Sequence, residues 1–207
     1  YSGYQVTNLP AGLSITGTTA NSVTVSGTPT QAGSFTLNAS ATDSSTGNGP
    51  FTVGQAFTLT VAGPTLALAP ASTTFNAPYG VAGYSQSFTA SGGIGPYTYA
   101  LSGALPPGVT FAGNTVSGTP TAPGSYSFTI TATDTGSTGT GSPFTVAQNY
   151  IINVAAPTIV VNPATLPNPT AGNAYSQTLT ASGGVGPYGF TLGASTLPSG
   201  MMLASSG

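Results

Sequence analysis

A unit that occurs twice and then begins a third time limits what this chain can fold into. Residues 105–134 read LPPGVTFAGNTVSGTPTAPGSYSFTITATD, residues 9–43 read LPAGLSITGTTANSVTVSGTPTQAGSFTLNASATD, and LPSGMML opens at Leu197. Asp43 and Asp134 stand 91 residues apart, as do Tyr84 and Tyr175, while Phe51 and Phe144 stand 93 apart. A period of that length suits one sandwich domain of ~100 residues. Inside each copy a proline turn leads to a short strand, then a Ser-Gly-Thr-Pro turn, then a long alternating segment. Phe35, Leu37, Ala39 and Ala41 alternate with Ser34, Thr36, Asn38 and Ser40. Tyr126, Phe128, Ile130 and Ala132 do the same in the second copy. A period of two is the mark of a strand buried on one face, and no segment has a helical period. The fold class expected is therefore all-β, as tandem immunoglobulin-like β-sandwich repeats.

The copies divide the chain. Residues 1–63 read as the later part of one repeat, closing on a strand with Phe51, Val53, Gln55, Phe57, Leu59 and Val61 on one face. Gly63-Pro64 breaks any ladder and marks a boundary. Residues 64–156 read as a complete repeat of about seven strands. Leu66 and Leu68 open it, and a Pro/Gly loop runs to Val81. A strand follows with Tyr84, Gln86, Phe88 and Ala90 on one face, and Ser91-Gly92-Gly93-Ile94-Gly95-Pro96 reads as a hairpin turn into Tyr97, Tyr99 and Leu101. Residues 157–207 read as the first half of a further repeat, with Ile159 and Val161, then Tyr175 to Ala181, then Tyr188, Phe190 and Leu192 as its strands. A half-sandwich exposes an apolar face and unpaired edges. Two explanations stand side by side: the sequence is a window of a longer array, or neighbouring chains complete its halves.

The LPxG, SGTPT and Gly-Ser-aromatic elements recur in order in LPPGVTFAGNTVSGTPTAPGSYSFTITATD. That stretch resembles the bacterial family called "putative Ig domain", relatives of the cadherin-like repeats of large secreted and surface proteins. The resemblance implies an extracellular spacer, adhesin or fibre module.

Charge removes several classes of function. The chain has no Lys, Arg, His or Cys and two acidic residues, so charged residues make up 1% of it. Without cations there is nothing to neutralise phosphates, which excludes nucleic acid and an anionic membrane surface as partners. No apolar run reaches the ~20 residues of a spanning helix, since Asn153 and Pro157 interrupt the best one, Ile151 to Val161. No membrane insertion is expected of this segment. Disorder is not implied, because 39% of residues are hydrophobic and 10 Tyr and 9 Phe are present.

Candidate chemistry is sparse. Asp43 and Asp134 hold equivalent places after the long strands, either as calcium ligands or as turn caps. Calcium wants 6–8 oxygens, usually several carboxylates, so turn capping is the better reading. No base is available to activate a Ser or Thr, and zinc has no ligands, so no catalytic, cofactor or metal residue is assigned and the chain is read as no enzyme. The Gly92–Pro96 glycines could cradle a phosphate, but no helix follows them. Tyr97, Tyr99, Tyr126 and Tyr188 could stack on sugars; their place on apolar faces favours core packing. Asn38-Ala39-Ser40 fits a glycosylation triplet but lies in mid-strand. Without Lys an internal Lys–Asn isopeptide bond is impossible.

These readings converge on a structural, extracellular or cell-surface segment that forms a stalk or self-associating fibre, with strand complementation between chains as the route to the fibre. The alternative is a surface adhesin that binds a glycan or protein through its loops, and a third is an accessory module of a secreted polymer-degrading enzyme. Phe128 and its counterpart Leu37 are expected at sandwich centres, with Ser127 and Thr129 outward.

Overall fold

The long alternating segments form the central strands, and shorter ones pair on either side. A computed structural model describes residues 3–204, and all regular structure among them is β. The first group is β1 (Tyr4–Thr7), β2 (Leu13–Thr18), β3 (Val23–Gly27), β4 (Gln31–Thr42) and β5 (Thr52–Val61). β4 lies between β1 and β5, antiparallel to both. β2 and β3 make a hairpin with a bulge between Ile15 and Gly17.

The second group is β6 (Ala67–Ala69), β7 (Thr74–Ala77), β8 (Tyr84–Ser87), β9 (Thr89–Ser91), β10 (Tyr97–Gly103), β11 (Val109–Ala112), β12 (Thr115–Gly118), β13 (Gly124–Asp134), β14 (Thr138–Gly139) and β15 (Phe144–Val154). One sheet runs β10-β13-β15-β7 and the other β11-β12-β8, while β9 pairs with β6. The pairing of β1, β4 and β5 recurs in β10, β13 and β15: Tyr4 faces Ala41 as Tyr99 faces Ala132, and Leu37 faces Phe57 as Phe128 faces Tyr150. The core of this second group is aromatic. Phe88, Phe128 and Tyr150 are essentially inaccessible, with Val116, Ile130 and Ile152 around them. Phe128 meets Phe88 edge-on at 6.1 Å and stacks on Tyr150 at 5.8 Å. Burying such a side chain stabilises by roughly 1.5–3 kcal/mol, and each aromatic pair adds about 0.5–1.5 kcal/mol.

The third group is a two-stranded pair, β16 (Val160–Asn162) and β17 (Thr180–Ser182), joined as β6 is to β9. β14 reaches back to the first group and lies parallel to the start of β4, where the Thr138 and Thr140 amides donate to the Thr30 and Ala32 carbonyls at 3.0 Å.

Five expectations change. Leu37 is half-buried, whereas Phe128 is 1% exposed, because among the described residues no strand equivalent to β8 and β9 covers the face of β4. Phe51 precedes β5 and is 64% exposed. The Pro/Gly loop after Leu68 contains a strand, β7, parallel to β15. Ser91 to Pro96 is no hairpin turn, since β9 pairs with β6 and β10 with β13; the loop crosses between sheets. Finally, Tyr175 to Leu179 and Tyr188 to Leu192 form no strands, and only Thr180–Ser182 of that region does. In the second group the matching segments depend on β12 and β13, so a strand sequence without its partner stays unpaired.

Candidate functional site

Two features stand out from the scaffold: a carboxylate cradle and an uncovered apolar sheet. The cradle forms where β13 ends. Asp134 is 1% exposed, and its carboxylate accepts five hydrogen bonds. The Gly95, Gly136 and Ser137 amides donate to Oδ1 at 2.9, 2.9 and 3.3 Å. The Ile94 amide and the Ser137 hydroxyl donate to Oδ2 at 3.2 and 2.5 Å. The glycines make this possible. Gly92, Gly93 and Gly95 all have positive φ, which turns successive amides toward one point, and a Cβ on Gly93 would overlap the carboxylate. Such a run of amides is an anion-binding nest. The sequence therefore does encode an anion cradle at Gly92–Pro96, and the anion is the chain's own Asp134.

Electrostatics follow from this geometry. Desolvation is the largest influence on Asp134 and opposes its charge, but the bonds from Ser137, Gly136 and Ile94 outweigh it and lower its pKa to about 2. Protons point at the carboxylate from five directions, leaving a cation no room on its lone pairs. No group of three His, Cys, Asp or Glu occurs among the described residues.

Asp43 holds the corresponding place after β4 with fewer partners. It accepts from the Phe51 amide at 2.7 Å, the Ser45 hydroxyl at 2.7 Å and the Ser45 amide at 3.4 Å. These bonds, led by that of Phe51, lower its pKa. Both aspartates thus cap the turns that follow their strands, as their spacing implied. Asp134 in addition ties its turn to a loop from another strand, which sequence reasoning missed; the paired recurrence of SGGxGP before a strand and TD after one was the available signal.

The uncovered sheet is β1-β4-β5. Val53 and Phe57 face the same side as Leu37 and Ala41, yet they are 70% and 54% exposed. Tyr150, at the place matching Phe57, is fully buried. On the opposite face of β1-β4-β5 a cleft of about 330 Å³ opens between Gln5, Thr7, Asn38, Ser40, Gly54 and Ala56.

Five of the tyrosines are tied to the backbone. Tyr99 accepts from the Ala90 amide at 2.8 Å, Tyr150 donates to the Pro70 carbonyl at 3.2 Å, and Tyr126 donates to the Ala122 carbonyl at 3.3 Å. Tyr97 and Tyr188 each close on a glycine carbonyl of the loop before them, Gly92 and Gly183. Burial raises the pKa of Tyr84 and Tyr150.

Residues 58–154 match the family model described as "Putative Ig domain". The match makes this stretch, just under half of the chain, an Ig-like domain. It covers β6 to β15 and the end of β5, and its cradle and aromatic core are those described above. Among solved structures, "Protocadherin Gamma B2 extracellular cadherin domains 3-6" is 19% identical over 80% of this chain and 44% of that one, with a TM-score of 0.33. "Protocadherin gammaB7 EC3-6 cis-dimer structure" is 18% identical over 80% and 45%, with a TM-score of 0.29. The chain spans less than half the length of these structures. A comparison with curated proteins gives no match.

Proposed function

We propose that the chain is a non-enzymatic structural segment of an extracellular or cell-surface protein, built from Ig-like units at 1–63, 64–156 and 157–207. It associates with itself when strands of one copy complete the sandwich of another. The uncovered face of β1-β4-β5 carries this reading. Around the Ig domain the equivalent face is roofed by β6, β8 and β9. The counterparts of those strands lie at residues 157–182 of the same chain, where Ile159, Val160 and Val161 are 49–58% exposed. A second copy offers these strands to the uncovered face. Docking it buries apolar surface on both sides at roughly 25 cal/mol per Å² and pairs open strand edges that no Lys or Arg defends. The contact joins different surfaces of two copies, so it propagates as a fibre.

Sedimentation velocity over a concentration series tests this. The expected result is growth into head-to-tail oligomers, equally at low and high salt, because there is almost no charge to screen. A dispersed monomer at all concentrations would reject it. A second reading, adhesion to a glycan or protein, has the cleft at Asn38 in its favour, since hydroxyl and amide groups line it. That cleft lies on a sheet face rather than in the loops. Binding of a glycan array by the monomer would support it.

A further inference from the structure

The loop after Asp134 is where the Ig domain meets the unit before it. Residues 135–143 separate Asp134 from Phe144, and residues 44–50 separate Asp43 from Phe51, so the later loop is the longer one, and it carries β14. Its first part is held inside the Ig domain. The Thr135 amide and hydroxyl both donate to the Pro96 carbonyl, at 3.0 and 2.7 Å, and Gly136 and Ser137 donate to the Asp134 carboxylate. Its next part is held by the first group. Thr138 donates its amide and its hydroxyl to the Thr30 carbonyl at 3.0 and 3.3 Å, and the Thr140 amide donates to the Ala32 carbonyl at 3.0 Å. Gly139 sets how closely the two backbones approach. Its φ is 97°, and a Cβ there would lie 2.1 Å from the Ala32 carbonyl oxygen and 2.8 Å from the Ala32 nitrogen. The Phe144 ring makes a second contact, with Gly63 in the segment that joins the units; a Cβ on Gly63 would come within 2.6 Å of it.

We infer that residues 134–142 form a strut that fixes the angle between the Ig domain and the preceding unit, with Asp134 as its positioning residue. β14 on β4 and Phe144 on Gly63 are separate points of contact, so bending or twisting about the linker strains one or the other. The bonds of β14 are too few to order the whole loop against its conformational entropy. Asp134 removes most of that cost by holding residues 136 and 137 in place, directly before the strand that docks. The docking place belongs to the unit and is not peculiar to the first group. Gly124 of the Ig domain corresponds to Gly33, with φ of 147° against 144°. Beside Gly124 a pocket of about 540 Å³ lies open between Asn76, Pro78, Ser125 and Asn153, although β6 to β9 are all present there. A full set of strands therefore leaves room for a strut. The inference deepens the reading of the chain as a structural segment and rests on its tandem units; every contact in it lies within one chain, so it does not depend on association between copies.

Double electron–electron resonance between spin labels on Ser14→Cys and Thr110→Cys tests the strut in the whole chain, which has no other Cys. Both sites are exposed and hold matching places in the β2-β3 and β11-β12 hairpins. Labelled chains are diluted into unlabelled ones, so that only distances within a chain are read. The native chain is expected to give one narrow distance distribution. Gly139→Ala drives a methyl group into the Ala32 carbonyl, and Ala32→Pro removes the N–H that lies against Gly139. The fold accepts that proline, since Pro123 holds the same place in the Ig domain. Both variants are expected to broaden the distribution while melting of the Ig domain stays as in the native chain. Asp134→Asn, measured well below its own melting temperature, is expected to broaden it too and to release the Thr138 and Thr140 amides to hydrogen exchange; a role confined to stability would do neither in the folded domain. A broad distribution in the native chain, or a narrow one in both Gly139→Ala and Ala32→Pro, overturns the strut. A narrow one in Asp134→Asn alone overturns the part given to Asp134. A native chain that sediments as a dispersed monomer rejects strand completion and leaves the strut standing, so the two failures are told apart.

Discussion

Replacing Asp134 by Asn keeps the shape of the side chain and removes its charge and one acceptor. With its oxygen at the Oδ1 position, Asn keeps the amides of Gly95, Gly136 and Ser137, the nearest two at 2.9 Å. Its NH2 group then faces the Ser137 hydroxyl and the Ile94 amide. The hydroxyl can rotate to accept, but the Ile94 N–H is left pointing at another donor. An unsatisfied buried donor costs about 1–3 kcal/mol, and the remaining bonds lose the strength that a charged acceptor gives them. Relief from desolving a charge offsets part of this, so we expect a net loss of about 2–4 kcal/mol. For a domain of this size that lowers Tm by roughly 10–30 °C, read by circular dichroism melting. The pH dependence gives the sign. The folded pKa of Asp134 is depressed to about 2 from an ordinary 3.8, so its contribution is fully present above the ordinary value and fades as pH falls from there through about 2. The gap in Tm between native and Asn chains should therefore narrow across that window. A Tm loss of less than about 3 °C, where ~1 kcal/mol already moves a small domain by 4–8 °C, would refute the cradle as a structural element.

Two further outcomes are expected. Phe128→Ala should cost about 3–5 kcal/mol as a buried aromatic truncation, far more than Thr129→Ala, and Leu37→Ala should cost less than Phe128→Ala because its face is uncovered; equal melting shifts for Phe128→Ala and Thr129→Ala would overturn the register. Calcium or a chelator should leave melting unchanged, since the donors around Asp134 present protons and a bound cation would otherwise stabilise the fold by mass action; a clear drop in Tm with chelator would show that Asp43 or Asp134 is a ligand.

What the sequence disclosed depended on range. Alternation along one strand was legible, and it set Phe128 inward against Ser127 and marked β4, β5, β13 and β15 as strands. Burial was less legible, because Leu37 has the same alternation as Phe128 and differs in what lies across from it. β7 escaped because four residues are too few for a period, and its partner β15 lies far along the chain. Tyr175 to Leu179 looked like a strand because it copies Tyr84 to Phe88, but a ladder needs the edge that β12 supplies in the Ig domain. The cradle escaped for another reason. Its donors are backbone amides, which every residue has, and only the turn made by Gly92, Gly93 and Gly95 aims them at Asp134. Glycine spacing marked an anion loop without marking the anion.

Strand completion is tested most directly by cross-linking two single-cysteine chains, which is clean because the native chain has no Cys. Leu37 and Leu179 are the counterparts of Phe128 and Phe88, whose rings lie 6.1 Å apart across the Ig domain core. Facing sheets stand about 10 Å apart, within reach of a short bismaleimide. Leu37→Cys chains mixed with Leu179→Cys chains should yield a covalent heterodimer, and Thr36→Cys, on the outward face of β4, should yield far less with the same partner. Equal yields from Leu37→Cys and Thr36→Cys, or no heterodimer from either while the chains remain folded, would contradict the account.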